Sequence, residues 1–235
     1  MHPIIFVSLG PGEPELITVK GLKALQKADC IFCPETRMQD GQTTSRAANI
    51  MHQLNIPENS IHRFPLSMSK QREKAIKAYE HVYMEALLLY KKDKRICIVA
   101  EGDAGFYSSV HYIFEKMHAN GISVMHIAGI PAFIAAGAWS GLHVASQDER
   151  LTVIPGIATT EEIEKLICEK TVVIIMKLSK CTDEVHRCLH LHPEYQYHYF
   201  ENIGTPNEKY LNDIHRIETL RFPYFSLLII RPDTL

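Results

Sequence analysis

Short, unbroken apolar runs alternate with longer stretches of helical period, and this alternation organises the chain. Residues 4–9 form the first run, which ends in Gly10-Pro11-Gly12-Glu13-Pro14-Glu15-Leu16. A helix is predicted next, capped by Thr18, with Leu22, Leu25 and Ala28 at helical spacing. Cys30-Ile31-Phe32-Cys33 reads as a short buried strand, residues 34–48 as a loop, residues 46–54 as a short helix and Phe64-Pro65-Leu66 as extended chain. Between residues 73 and 90, Ala75, Ile76, Tyr79, Val82, Tyr83, Ala86, Leu87 and Tyr90 share one helical face, which places the tyrosines in a core. Ile96-Cys97-Ile98-Val99-Ala100 has no polar interruption, as expected of a central parallel strand. A helix over 107–118, a strand over 122–127 and a helix over 132–142 follow, the last rich in small residues.

The alternation then restarts. Strands are predicted over 151–155, 171–176, 196–201 and 225–231, and helices over 160–169 and 181–191. In this last part the strands come closer together, which predicts a second sheet with more antiparallel character. The fold class is therefore α/β, with an N-terminal α/β domain over 1–125, a C-terminal α/β domain over 126–235 and a hinge near residues 120–130.

Bulk composition narrows the function classes. The chain has 235 residues, 46% hydrophobic and 22% charged, which suits a globular protein with a sizeable core. A net charge of -2 gives no general affinity for nucleic acid. No apolar run approaches the roughly 20 residues that span a membrane. The start of the chain lacks a basic region and an apolar export segment, so a cytoplasmic setting is expected. Cys30 and Cys33 are three apart on a strand and so face opposite sides, which suits buried thiols better than a metal or a redox pair. For His186, His190 and His192, no nearby cysteine or acid completes a convincing metal set, so no metal is expected.

The candidate chemistry lies at strand ends, where ligands of open α/β sheets bind. The Gly10-Pro11-Gly12 loop is acidic, lacks the third glycine of a dinucleotide fingerprint and has no Gly-Lys-Ser/Thr. It fits a small ligand without a polyphosphate, and equally a bare strand–helix turn. Asp103, in Glu101-Gly102-Asp103-Ala104-Gly105, sits where a carboxylate accepts hydrogen bonds from a ligand's hydroxyls or ammonium, or caps the helix that follows. Ala128-Gly129-Ile130-Pro131-Ala132 is a third glycine-containing strand-end loop. Arg37 and Arg46 lie in the loop after the second strand, where a solvated charge is the plain alternative to a ligand contact.

Taken together, five stretches resemble the tetrapyrrole methylase family, the S-adenosylmethionine-dependent methyltransferases that modify uroporphyrinogen and the precorrins. They are Gly10-Pro11-Gly12-Glu13-Pro14-Glu15-Leu16-Ile17-Thr18, Gly102-Asp103, Ala128-Gly129-Ile130, Met176-Lys177 and Glu201-Asn202-Ile203-Gly204-Thr205, in the family's order and each at a predicted strand end. The likeness is greatest to the precorrin-modifying branch. Gly102-Asp103-Ala104-Gly105-Phe106-Tyr107-Ser108-Ser109, Phe64-Pro65-Leu66, Val173-Ile174-Ile175-Met176-Lys177 and Tyr224-Phe225-Ser226-Leu227 carry it. The chain departs from the family pattern at Glu13 (usually Asp), Ala104 and Ala128 (usually Pro), and Pro131-Ala132 (commonly Ser or Thr).

The resemblance implies two α/β domains with the cofactor in the cleft between them, and a homodimer. It also implies S-adenosylmethionine as cofactor, contacted by Pro11, Gly102, Asp103, Tyr107, Pro131, Ala132, Met176 and Gly204. The expected reaction is methyl transfer to a carbon of a tetrapyrrole, with Arg37 and Arg46 as candidate contacts for the substrate's carboxylates. It assigns no residue to proton removal. The alternatives are another methylase of the same family and a binding module that holds a small ligand without turnover.

Overall fold

The computed structural model describes residues 1–37, 43–66 and 72–232; of Arg37 and residues 72–74 it describes the backbone. The chain divides into two compact units, Met1–Pro131 and Ala132–Leu235.

The first unit runs β1 (Ile4–Ser8), α1 (Val19–Lys27), β2 (Cys30–Arg37), β3 (Thr43–Thr44), α2 (Arg46–Gln53), β4 (Ile61–Leu66), α3 (Arg72–Lys91), β5 (Ile96–Ala100), α4 (His111–Ala119) and β6 (Val124–Ile127). The sheet order is β3-β2-β5-β1-β6, with β4 also on β2. Every pairing is parallel except that of the short β3 with β2. β6 pairs with β1 through Ile4↔Val124 to Val7↔Ile127, which is why the first unit runs on to Pro131 and not to the expected residue 125.

Both faces of this sheet are covered, as the unbroken apolar strands require. Ile4, Phe6, Phe32, Ile96 and Ile98 pack with α3 and α4 on one face. Val7, Leu9, Ile31, Cys97 and Val99 pack with α1 and α2 on the other. Thr18 caps α1 as expected, its Oγ1 accepting the Gly21 N–H at 3.1 Å. On α3, Tyr79, Val82, Tyr83, Ala86 and Tyr90 are buried, but Ile76 is exposed, so the apolar stripe is narrower than the sequence suggests. Cys30 and Cys33 fall in opposite cores, and burial pushes their thiols up to about 12 and about 11.

Two expectations need correction here. The second strand does not stop at Cys33: Pro34, Glu35 and Thr36 continue it against Phe64, Pro65 and Leu66 of β4. The helix expected from residue 107 begins at His111, because Tyr107 adopts a left-handed backbone (φ 49) that no helix can include.

The second unit runs α5 (Ala132–Ser140), β7 (Arg150–Ile154), α6 (Thr160–Cys168), β8 (Thr171–Met176), α7 (Thr182–Leu191), β9 (Gln196–Glu201), β10 (Lys209–Leu211), α8 (Ile214–Ile217) and β11 (Ser226–Arg231). Its sheet order is β10-β9-β11-β8-β7. Only the β7–β8 pair is parallel, so the antiparallel expectation holds. Val173, Ile175, Tyr197, Tyr199, Leu228 and Ile230 pack against α6, α7 and α8. The buried Arg231 at the end of β11 holds Glu149 through two hydrogen bonds, at 2.7 and 2.8 Å, and donates to the His143 carbonyl at 2.6 Å.

Candidate functional site

In the first unit, β1 and β5 are neighbours, yet the chain leaves β1 for α1 on one face and β5 for α4 on the other. That divergence makes a crevice beyond the C-terminal strand ends, the place where open parallel sheets take ligands. The two glycine loops of the sequence meet there. Gly10 donates its N–H to the Gly102 carbonyl at 3.1 Å, and Gly102 returns the bond to the Gly10 carbonyl at 2.7 Å. Both glycines have positive φ (79 and 67), a conformation that side chains resist. A Cβ on Gly102 would meet nothing within 4 Å, so this backbone is open on that side.

A serine inside the first strand holds the loops together. Ser8 is fully buried; its hydroxyl donates to the Ile127 carbonyl at 2.7 Å and accepts the Ala104 N–H at 2.8 Å. Asp103 adds a second tie. One oxygen accepts the Gly105 N–H at 2.8 Å, and the other accepts the Gly129 N–H at 2.7 Å. Asp103 therefore does not cap α4, whose N-cap is Val110. It fixes the loops after β5 and β6 against each other. Gly129 has a steric reason to be glycine: a Cβ there would lie 2.3 Å from Ser8 Cβ and 2.7 Å from the Gly102 carbonyl oxygen. Pro11 is buried beside this junction, and Tyr107 is 43% exposed, with its ring centroid 4.5 Å from that of Phe106.

Charge enters from α2. Ser45 caps this helix, accepting the Ala48 N–H at 3.0 Å and donating to the Pro34 carbonyl at 2.6 Å. It thereby sets Arg46, the first helical residue, beside the end of β2. Burial lowers the affinity of the Arg46 guanidinium for its proton, and the negative charge of Glu101 opposes that effect. Burial likewise raises the Glu101 carboxyl, with Arg46 opposing. The side chain of Arg37 lies outside the described residues; its backbone ends β2, in register with Thr43. Ser8 and Glu101 are participants that the sequence reading did not single out. Their signal was one polar residue closing each of two apolar strands.

In the second unit, β7, β8 and β9 run the same way and β11 runs against them, so Met176, Gly204 and the start of β11 share one edge of the sheet. The Lys177 N–H donates to the Ser226 carbonyl at 3.1 Å, and the Asn202 N–H to the Phe225 carbonyl at 2.9 Å. Lys177 is left-handed (φ 59) and half-buried, and burial lowers its ammonium below the usual lysine range. Gly156 presses on this turn: a Cβ there would lie 2.7 Å from both the Met176 and Lys177 carbonyl oxygens. Gly204 (φ 76) donates its N–H to the Glu208 carboxylate at 3.0 Å. Ala132 opens α5 directly after Pro131, the last residue of the first unit.

Among the described residues, no group of three histidines, cysteines or carboxylates is placed to hold a metal ion. His186 packs on the Phe222 ring at 5.0 Å, and His192 is held between Glu164 and Glu194 at 2.8 and 3.0 Å.

Residues 3–217 match the family model described as Tetrapyrrole (Corrin/Porphyrin) Methylases. A probable cobalt-precorrin-2 C(20)-methyltransferase of Methanocaldococcus jannaschii is 27% identical over 76% of this chain and 74% of its own length. A precorrin-2 C(20)-methyltransferase of a Sinorhizobium species is 26% identical over 97% of this chain and 94% of its own. Among solved structures, the uroporphyrin-III C-methyl transferase from Thermus thermophilus, complexed with S-adenyl homocysteine, superposes with a TM-score of 0.66. It is 15% identical and covers 98% of this chain and 97% of its own, a likeness of fold.

Proposed function

We propose, for a chain that belongs to the tetrapyrrole (corrin/porphyrin) methylase family, S-adenosylmethionine-dependent methyl transfer to carbon 20 of precorrin-2 or cobalt-precorrin-2, a step of cobalamin biosynthesis. The observation that carries the reading is the match to a precorrin-2 C(20)-methyltransferase along 97% of the chain. The strand-end geometry supports it. Open backbone at Gly102, left-handed glycines and carboxylates in place of a phosphate-binding lysine suit a ligand that bears an ammonium, a sulfonium and a carboxylate but no phosphate.

We assign the cofactor contacts to Pro11, Gly102, Asp103, Tyr107 and Pro131 of the first unit and to Ala132, Met176 and Gly204 of the second. When bound, S-adenosylmethionine supplies a methyl group on a cationic sulfur that leaves as a neutral thioether. No protein nucleophile is needed. The work of the chain is to orient the acceptor carbon in line with the methyl group and to exclude water. Ser8 and Asp103 serve orientation by fixing three strand-end loops in one arrangement. Arg37 and Arg46 are assigned to the substrate's carboxylates, for which a guanidinium fork is the best-suited donor. The reading includes a homodimer and a cytoplasmic setting on family grounds; no described helix is long and apolar enough to cross a membrane.

The deciding experiment is a turnover assay with precorrin-2 and its cobalt form, prepared in situ, with S-adenosylmethionine and mass detection. A gain of one methyl group is expected, and the faster form identifies the physiological substrate. No gain with either, alongside tight cofactor binding, sinks the substrate assignment.

A further inference from the structure

Left-handed backbone at residues other than glycine falls into two sets among the described residues. Asn55, Asp93 and Lys170 close the last turns of α2, α3 and α6, each donating its N–H to the carbonyl three residues back, as residues after helices often do. Tyr107, Lys177 and Asn202 instead stand in the loops after strands β5, β8 and β9. Lys177 and Asn202 are tied to β11 by their own N–H groups. At Tyr107 the conformation (φ 49) persists only where the surroundings enforce it. Anchors lie on both sides. Before Tyr107, Gly105 and Phe106 donate their N–H groups to the side chain and the carbonyl of Asp103, at 2.8 and 3.2 Å. After it, Nδ1 of His111 meets the Ser108 carbonyl at 2.9 Å; because a carbonyl can only accept, Nδ1 carries the proton. The Ser109 hydroxyl is hydrogen-bonded to the hydroxyl of Tyr79, on α3.

Tyr79 is well fixed for that task. It is 4% exposed, and its ring meets Phe64 of β4 edge-on at 6.1 Å and Tyr112 of α4 at 5.9 Å. Three elements of the core thus set the ring, while its hydroxyl meets the exposed Ser109. A buried tyrosine hydroxyl calls for a polar partner, and this one finds it two residues past Tyr107. We propose that Tyr79 is a positioning residue: through Ser109, its hydroxyl holds the 104–109 loop so that Tyr107 stays left-handed and presents its exposed ring to S-adenosylmethionine. The proposal rests on the assignment of Tyr107 to the cofactor made above.

Tyr79→Phe keeps the ring and its packing and removes only the hydroxyl; Ser109→Ala removes the other half of the bond. Each is expected to raise the Kd for S-adenosylhomocysteine, measured by calorimetry, by about threefold or more, within the worth of one net hydrogen bond. The double variant is expected to lose no more than either single one, because both remove the same bond. In turnover, the loss is expected in the KM for S-adenosylmethionine, with kcat changed less than about twofold, as when binding alone is weakened. A readout free of ligand is hydrogen exchange of residues 104–110, followed by mass spectrometry and expected to be faster in both variants than in wild type. Unchanged exchange in Tyr79→Phe, losses of affinity that add in the double variant, or a fall in kcat at unchanged KM overturns the proposal. Faster exchange with unchanged affinity also overturns it, because the held loop then does not serve the cofactor. If the wild-type protein binds no S-adenosylhomocysteine, the cofactor reading itself fails, and the exchange still decides whether Tyr79 holds the loop.

Discussion

The carboxylate of Asp103 accepts the backbone N–H of Gly129 at 2.7 Å, joining the loop after β5 to the loop after β6. Its other oxygen closes a turn on the Gly105 N–H. One side chain thus satisfies two backbone donors, one of them partly buried. Asp103→Ala should strand both, at about 1–3 kcal/mol each where water cannot replace the bond. The expected outcome is a lower Tm together with weaker S-adenosylhomocysteine binding, read by calorimetry on the same preparation. A variant with a lower Tm but unchanged affinity would show that Asp103 serves the fold and not the cofactor.

Gly129 and Gly105 make a matched pair for testing how tightly the loops are set. A methyl group at Gly129 would collide with Ser8 Cβ at 2.3 Å and with a carbonyl oxygen at 2.7 Å, neither of which can swing away. At Gly105 the nearest atom is Asp103 Oδ1 at 3.3 Å, on a side chain with some freedom. Gly129→Ala should therefore cost about 1–3 kcal/mol or more through overpacking, and Gly105→Ala clearly less. Thermal melts of the two variants check the ordering; equal losses would mean that the junction relaxes more easily than its contacts suggest.

Strands with unbroken apolar runs were legible to the residue. The runs at 96–100 and 171–176 coincide with β5 and β8 because burial on both faces leaves almost no polar residue to blur their ends. β2 reads short because its second half is Pro34-Glu35-Thr36-Arg37, polar residues kept extended by β4 on one side and β3 on the other, information held elsewhere in the chain. The start of α4 was misplaced because a left-handed Tyr107 leaves no mark in the hydrophobic pattern. The same limit applies to the candidate site. Gly-Asp at a strand end is visible as a motif, but that Asp103 reaches Gly129, or that Ser8 bridges Ile127 and Ala104, depends on which strands become neighbours. That the charge of Arg46 acts on Glu101 likewise depends on α2 packing on the sheet face that carries Cys97 and Val99.

The two arginines assigned to the substrate should differ. Arg46 is half-buried and electrostatically coupled to Glu101, so Arg46→Ala leaves that carboxylate without its cation. We expect Arg46→Ala to weaken tetrapyrrole binding about 10-fold or more and to push the Glu101 carboxyl further up. Arg37→Ala is expected to weaken tetrapyrrole binding alone. Absorbance titrations with the substrate, beside calorimetry with S-adenosylhomocysteine, separate the two. Unchanged tetrapyrrole affinity in Arg37→Ala removes that residue from the site.

His192 gives the second unit a pH-dependent clamp away from the candidate site. Its ring is stacked on Tyr195, with centroids 4.7 Å apart, and each ring nitrogen meets a carboxylate, Glu164 at 2.8 Å and Glu194 at 3.0 Å. Burial opposes charging the imidazole, but the two carboxylates more than offset it and raise the imidazole above its ordinary value. A raised folded-state value means that the stabilisation is complete below the unfolded imidazole's value, about 6.5, and is lost as pH rises through the folded one. Partly exposed pairs of this kind contribute about 0.5–1 kcal/mol. The Tm gap between wild type and His192→Gln should thus be wider at about pH 5.5 than at about pH 8.5, by roughly 2–4 °C. A gap that is the same at both values would mean that the ring acts through its stacking on Tyr195 and not through its charge.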